Sequence, residues 1–383
     1  MISPGSSIGI LGGGQLGRML ILSGRPLGYK FHVFCPEPNS TAGKIADVYT
    51  QADYDDAISL KKFAASVDCI TFEFENIPSG TLDILNDETP IHPNANVLHI
   101  CQNRQREKDF LKSEGFPCVQ FEYATDCSSL VKGIEKIGFP CVIKTAAFGY
   151  DGKGQIKLDS QSSVGDPSAL WESLGSPKKV VIEEWILHKG EYSVVCARNV
   201  QGETCTFPVA KNIHINHILH SSSAPALLPK SIEAQASSLG KQIANRLDVV
   251  GLIAVEFFLD QEDSLIINEM APRPHNSGHY TLDACYTSQF QQHIRAIAGL
   301  PFGETAIHTP CTMINLLGDL WVSGSPNWSR LLKNTSTQLH LYDKGEPRNG
   351  RKMGHFNFLH NDLKISEETA ENLFQKLKSD NLK

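Results

Sequence analysis

Two strand-like apolar runs each carry one glutamate, and their spacing restricts the fold more than any other feature of the chain. Ile253–Leu259 carries Glu256, and the run that opens Leu265–Tyr280 carries Glu269 thirteen residues later. A hairpin turning at Glu262–Asp263 sets the two glutamates directly opposite each other. Like charges facing across a sheet destabilise it. A divalent cation between them reverses that sign, and hard oxygen ligands suit Mg²⁺. The alternative is a solvated face, against which stand the apolar neighbours Val255, Phe257, Ile266 and Ile267. After Glu269, Arg273, His275, Asn276 and His279 crowd into a loop punctuated by proline and glycine.

A length of 383 residues implies two or three domains. A formal net charge of −7 disfavours a general nucleic-acid binder and still permits a local basic pocket for phosphates. No run approaches a membrane span. The N-terminus, Met-Ile-Ser-Pro-Gly-Ser-Ser, lacks the basic segment of a signal peptide. None of the ten cysteines forms a Cys-x-x-Cys pair, and Cys69, Cys141 and Cys196 sit in apolar runs. Reduced thiols and a cytoplasmic location are expected.

The first hundred residues alternate strand and helix: strand Ser7–Leu11, helix Gln15–Leu27, strand Lys30–Phe34, helix Asp56–Ser66, strand Asp68–Phe74. This pattern predicts a doubly wound parallel sheet. Gly12-Gly13-Gly14-Gln15-Leu16-Gly17 satisfies G-x-G-x-x-G between a strand and a helix, and Glu37 follows at the distance of a ribose-binding acid. These glycines report backbone amides facing an anion at a helix N-terminus, without saying which anion. A nicotinamide-dependent oxidoreductase is one reading.

Further on, Arg104–Glu114 reads as a charged helix and Cys141–Lys144 as a buried strand ending in a lysine. The loop Phe148-Gly149-Tyr150-Asp151-Gly152-Lys153-Gly154, with Lys144, has the composition of a lid over polyphosphate, or of an ordinary hairpin loop. Ser160–Pro177 reads as a connector. Val180–Glu184 is a strand running into Glu184-Trp185-Ile186, whose edge can read an adenine, and Glu191 can take ribose hydroxyls. Lys230–Leu247 and Ser288–Gly299 are helical. His214, His217 and His220 are poorly spaced for one shared metal. After strand Gln338–Tyr342, the basic stretch Asp343–His355 carries Lys344, Arg348, Arg351 and Lys352 and is either a solvated turn or a phosphate clamp.

In this order the pieces resemble the ATP-grasp superfamily, over essentially the whole chain. Within it they are similar to the N5-carboxyaminoimidazole ribonucleotide synthase family through five elements. These are Gly-Gln-Leu-Gly-Arg-Met at 14–19, Phe-Glu-Asn-Ile-Pro at 74–78, Gly-Tyr-Asp-Gly-Lys-Gly at 149–154, Ala-Pro-Arg-Pro-His-Asn-Ser-Gly-His at 271–279 and Gly-Arg-Lys-Met-Gly-His at 350–355. The resemblance implies α/β and α+β architecture: an N-terminal doubly wound domain (1–100), an ATP-grasp domain (101–300, lid lobe about 115–180) and a small β-rich C-terminal domain (301–383). It implies ATP- and bicarbonate-dependent carboxylation of 5-aminoimidazole ribonucleotide, through carboxyphosphate, in purine synthesis. The expected cofactors are ATP and Mg²⁺ or Mn²⁺, and the expected state is a homodimer acting on small molecules.

Carried over by position, Arg104 and Lys144 meet the ATP phosphates under the Phe148–Gly154 loop. Glu183, Glu184, Trp185 and Ile186 line the adenine, Glu191 the ribose, and His214 touches the nucleotide. Glu256 and Glu269, with Asn268 beside them, hold the metal. Tyr150, Arg273 and His275 meet the imidazole and nascent carboxylate, and Lys344 and Arg351 its 5′-phosphate. Gly14, Gln15, Leu16, Glu75 and Asn76 wall that pocket. Many ATP-grasp enzymes carry asparagine two residues after the second metal glutamate. Here that residue is Ala271, so phosphate and water must complete the metal shell. A formate-dependent enzyme acting on glycinamide ribonucleotide shares Arg-Pro-His but differs at Tyr150-Asp151 and Asn276-Ser277-Gly278-His279. A nucleotide sensor without turnover is the third alternative.

Overall fold

The computed structural model describes residues 1–85, 89–147, 154–175 and 177–380. The N-terminal strands form a parallel sheet in the order Val48–Gln51, Lys30–Cys35, Ser7–Leu11, Cys69–Phe72. The last three are buried almost throughout, as a sheet covered on both faces requires. The expected helix from Gln15 ends as an α-helix at Gly24 and tightens to a 3₁₀ turn over Arg25–Leu27. Pro26, which lacks an amide donor, explains the change. Gly28, at φ +85°, then turns the chain into the next strand.

A second, four-stranded antiparallel sheet runs Phe121–Ala124, Val180–Glu184, Cys141–Thr145, Gln155–Leu158. Helices Cys127–Ile137 and Pro167–Ser173 cover its apolar face through Leu130, Ile134 and Leu170. The second helix lies where a connector was expected. Asp166 caps it by accepting from the Ser168 amide and Pro167 opens it, a start signal that outweighs the polar composition.

A nine-stranded sheet forms the body of the molecule. Helix Lys230–Arg246 packs Ile232, Ala236, Leu239 and Ile243 against Val194 and Cys196 of strand His188–Arg198. Strand Gly251–Asp260 follows that strand, and Leu265–Ala271 forms the edge. The C-terminal region is β-rich, as the resemblance implied. Strands Cys311–Leu317, Lys352–Leu359 and Thr337–Leu341 pair onto Ile218–Ala224 and extend the same sheet, and helix Leu363–Asp380 packs behind them. Lys352–His355, expected within the basic loop, is thus strand.

The N-terminal domain is tied to the rest through a shared core and polar contacts. Phe290, Ile294 and Ile297 share a core with Leu20 and Ile21, and Thr41 donates a hydrogen bond to the carbonyl of Tyr342 while Lys44 pairs with Asp343 at 2.9 Å. The Lys344–Arg351 loop is thereby suspended beside the Gly-rich turn. Ten free thiols are present, and no helix of the described residues is long and apolar enough to cross a membrane.

Candidate active site

The two glutamates meet as the spacing requires. Glu256 pairs with Glu269 in antiparallel register, and the register slips one residue on the turn side, where Phe257 faces Ile267. Asn268 is the extra residue of a β-bulge. Asp260 closes the turn by accepting from the amides of Glu262 and Ser264. Strict alternation would turn Asn268 and Glu269 to opposite faces. With the bulge, both line one cavity of 280 Å³. Burial, then the Glu269 charge, raises the Glu256 carboxyl to about 7. A cation between the pair would relieve that repulsion. Ala271 brings no donor, and among the described residues no cluster of three or more His, Cys, Asp or Glu can hold a metal. Two carboxylates needing outside oxygens fit a cation delivered on a nucleotide.

Cations line the same cavity. Arg104 lies 3.4 Å from Glu269, and Lys144 lies 2.6 Å from Glu183. Glu183 was expected to line the adenine. It lines one cavity with Glu184, Trp185 and Ile186, and its carboxylate, 2% exposed, is set between Lys144 and the fully buried Lys108, 3.8 Å away. Burial pushes that carboxyl up, but Lys108 and Lys144 outweigh it and hold it at about 2. Burial lowers the Lys144 ammonium against the pull of Glu183. Of the lid loop, Phe148, Gly149, Tyr150, Asp151, Gly152 and Lys153 lie outside the described residues. Gly154 sits at φ +70°, where a Cβ would meet the Thr145 hydroxyl at 2.6 Å.

At the other end of this cavity the Glu184 carboxylate accepts from the Gln120 amide, and Trp185 and Ile186 form the wall. Lys157 lies 4.5 Å over the Trp185 ring. Glu191 pairs with His214 at 2.7 Å. Burial opposes both charges, yet their pairing outweighs it, so the carboxyl is lowered and the imidazole raised. His188 stacks on Phe258 beside them. His217 joins this wall and contacts Gln155 at 3.0 Å, whereas His220 turns away to Glu371 at 2.8 Å.

Arg273 carries Glu75 as a bidentate partner, Nη2 donating at 2.8 Å and Nε to the second oxygen. Burial would raise the Glu75 carboxyl, but the guanidinium holds it at about 2. The His275 ring accepts the Ser277 amide at Nδ1, which leaves the proton on Nε2, 3.3 Å from Glu256. Burial, then Arg273 and Lys352, drives that imidazole down to about 3, so it is neutral. His279 of the same motif is fully buried, its ring 4.9 Å from His355, and belongs to the domain junction.

Beyond Lys352 the cleft continues into two adjoining cavities of 920 and 520 Å³ that share Gln15, Lys344 and Arg351. The second reaches Gly14 and Glu37. Leu16 was expected in this wall, but its side chain is buried in the N-terminal core. Asn76 is exposed and outside all three cavities. The anion at the Gly-rich turn is Glu73, which accepts from the amides of Gly14 at 2.8 Å and Gly17 at 3.4 Å. Glu73, Lys108 and Glu107 were missed in the sequence. The signal for Glu73 was its place at the end of the strand beside the turn.

Comparison with known proteins agrees along the chain. Residues 6–102 match the ribonucleotide synthetase preATP-grasp domain, 109–290 the ATP-grasp domain and 311–369 the phosphoribosylaminoimidazole carboxylase C-terminal domain. The N5-carboxyaminoimidazole ribonucleotide synthase of Bacillus subtilis is 43% identical over 94% of this chain and 93% of that protein. A bifunctional purine synthesis protein of Dictyostelium discoideum is 41% identical, and the match spans 37% of its length. An N5-carboxyaminoimidazole ribonucleotide synthetase crystallised with ADP superimposes with a TM-score of 0.93 at 39% identity, over 99% of both chains. The Aspergillus clavatus synthase in complex with ADP and 5-aminoimidazole ribonucleotide gives 0.88 at 27% identity, over 98% of this chain and 99% of that one.

Proposed function

The chain belongs to the N5-carboxyaminoimidazole ribonucleotide synthase family of ATP-grasp ligases, and from that premise we propose how its cleft is used. It is an ATP-dependent ligase that carboxylates 5-aminoimidazole ribonucleotide in purine biosynthesis. The observation that carries the residue-level reading is the facing pair Glu256–Glu269, which lines the inner cavity that Lys352 joins to the cleft leading to Lys344 and Arg351.

In this reading bicarbonate attacks the γ-phosphate of ATP, anion on anion, so catalysis is mainly charge neutralisation and alignment. Mg²⁺, with Mn²⁺ as a substitute, held by Glu256 and Glu269 would neutralise the phosphoryl oxygens. Arg104 and Lys144 bind the same phosphates, and Glu183 keeps the Lys144 ammonium aimed. Glu184, Trp185 and Ile186 take the adenine, and Glu191 with His214 the ribose. The carboxyphosphate product hydrolyses readily, which gives the 148–154 loop its task of excluding water.

Arg273, aligned by Glu75, faces the bicarbonate and nascent carboxylate. The neutral His275 offers an Nε2 proton rather than a charge, which suits orientation more than proton abstraction. Tyr150 lies with them in this reading. Lys344 and Arg351 clamp the 5′-phosphate, with Gln15 and the Gly14 turn as the opposite wall. The exocyclic amine then bonds to the carboxyl carbon as the C–O bond to phosphate breaks, directly or after release of CO₂, and the departing phosphate accepts the amine proton. A cytoplasmic homodimer with domain divisions near residues 100 and 300 completes the proposal, and sedimentation tests the dimer.

The functional test is ADP release from MgATP with and without aminoimidazole ribonucleotide and bicarbonate. Release stimulated by the ribonucleotide and falling as bicarbonate is depleted supports the reading. No stimulation in a protein that binds ATP contradicts it.

A further inference from the structure

Helix Arg104–Ser113 buries an unusual face. Arg104, Glu107, Lys108 and Leu111 follow the i, i+3, i+4, i+7 spacing of a core-facing stripe, yet three of the four are charged. Glu107 is 2% exposed and Lys108 is fully buried. Neither lines a cavity of the cleft, so nucleotide contact does not explain them.

Their partners do. Strand Leu265–Ala271 is the edge of the nine-stranded sheet, so its outward amides and carbonyls have no neighbouring strand. Buried groups of that kind must find other partners. The Ile267 amide takes the Pro117 carbonyl at 2.8 Å. Lys108 Nζ donates to the Asn268 carbonyl at 2.9 Å, and the Glu107 carboxylate accepts the Met270 amide. Two adjacent helix residues thus grip the backbone immediately before and after Glu269, at the bulge that brings Glu269 onto the cleft face. Lys108 also faces Glu183, the counter-ion of Lys144.

We infer that Glu107 and Lys108 are positioning residues that fix the bulge at Asn268, and through it the metal-binding geometry of Glu269. Beyond the single bridge of Ile267 to Cys118, the edge strand has no second strand among the described residues to hold its register. A slip of one residue would turn Glu269 away from Glu256. Lys108 couples this grip to the Lys144 arm, so one buried ammonium sets both the metal carboxylate and the phosphate lysine. The inference rests on Glu256 and Glu269 holding the cation.

The test is Mn²⁺ affinity for the enzyme–ADP complex, read by electron paramagnetic resonance of free Mn²⁺, with melting temperature measured alongside. Lys108→Met and Glu107→Met are expected to weaken Mn²⁺ binding roughly ten- to a hundred-fold, the range for residues that orient metal ligands. Glu107→Gln keeps an oxygen acceptor for the Met270 amide and is expected to retain most of the affinity. Lowered melting temperatures with unchanged Mn²⁺ affinity in the folded Met variants would overturn the inference. If Lys108→Met does not fold, the Glu107 pair decides, and equal affinities for the Gln and Met variants overturn it. Glu269→Gln is the control. Affinity lost there but kept in the Glu107 and Lys108 variants refutes positioning alone. Affinity kept in Glu269→Gln refutes the carboxylate reading, and the positioning with it.

Discussion

The Glu73 carboxylate accepts the Gly14 amide at 2.8 Å, so the anion facing the Gly-rich turn is a side chain of the chain itself. Burial raises the Glu73 carboxyl against the pull of that amide, which marks a group held in place rather than one left to solvent. A dinucleotide pyrophosphate would have to displace it.

The chain is therefore expected not to bind NADH tightly. Fluorescence titration should show no saturation in the micromolar range, and a micromolar Kd would contradict the account. Gly14→Ala would bring a Cβ to 2.5 Å from Glu73 Oε1 and is expected to cost about 1–3 kcal/mol of stability. An unchanged melting temperature would show that the turn is not packed as described.

Glu269→Gln is expected to lower kcat about a hundred-fold or more while changing the KM for ATP only a few-fold, because the cation acts mainly on charge that develops in the transition state. Steady-state kinetics at saturating Mg²⁺ check this. Near-normal turnover there would remove Glu269 from the site.

Arg351→Ala is expected to raise the KM for the ribonucleotide roughly ten-fold or more, the worth of one charge-assisted hydrogen bond, and to leave the KM for ATP nearly unchanged. Arg351 lines the two outer cavities and not the nucleotide cavity. Equal effects on both constants would show that the basic loop is not a substrate clamp.

The Glu75–Arg273 pair joins the N-terminal domain to the loop after strand Leu265–Ala271, and it carries a pH signature. Its carboxyl is held at about 2, against an ordinary 4.5. A depressed acid stabilises the fold fully above its unfolded value, and the contribution is lost as pH falls from about 4.5 towards 2. Both side chains are mostly buried, and the contribution is at most about 3 kcal/mol. Denaturant melts of wild type and Glu75→Gln should converge across that window. Parallel pH dependence would refute the pair's role.

The facing glutamates were legible because alternation and turn length together fix a register. The bulge at Asn268 was not, since it depends on Glu107 and Lys108 from a helix far away in sequence. The ion pair of Glu183 was hidden for the same reason. The contact with Lys144 exists only once strand Val180–Glu184 pairs with Cys141–Thr145. Leu16 was placed in a pocket wall because a motif gives positions without side-chain directions. The C-terminal strands were within reach, since Cys311–Leu317 is an apolar run bounded by Pro310 and Gly318. The basic residues of Asp343–His355 drew the start of strand Lys352–Leu359 toward a loop. Tyr150 and the rest of the lid motif through Lys153 lie outside the described residues, so their roles rest on the family alone.

The most direct test supplies ¹³C-labelled bicarbonate with MgATP and aminoimidazole ribonucleotide and follows the product at once by ¹³C NMR. The account predicts a carbamate carbon on the exocyclic nitrogen, formed in step with ADP and absent without ATP. Label on a ring carbon, or ADP formed with no labelled ribonucleotide, would contradict it.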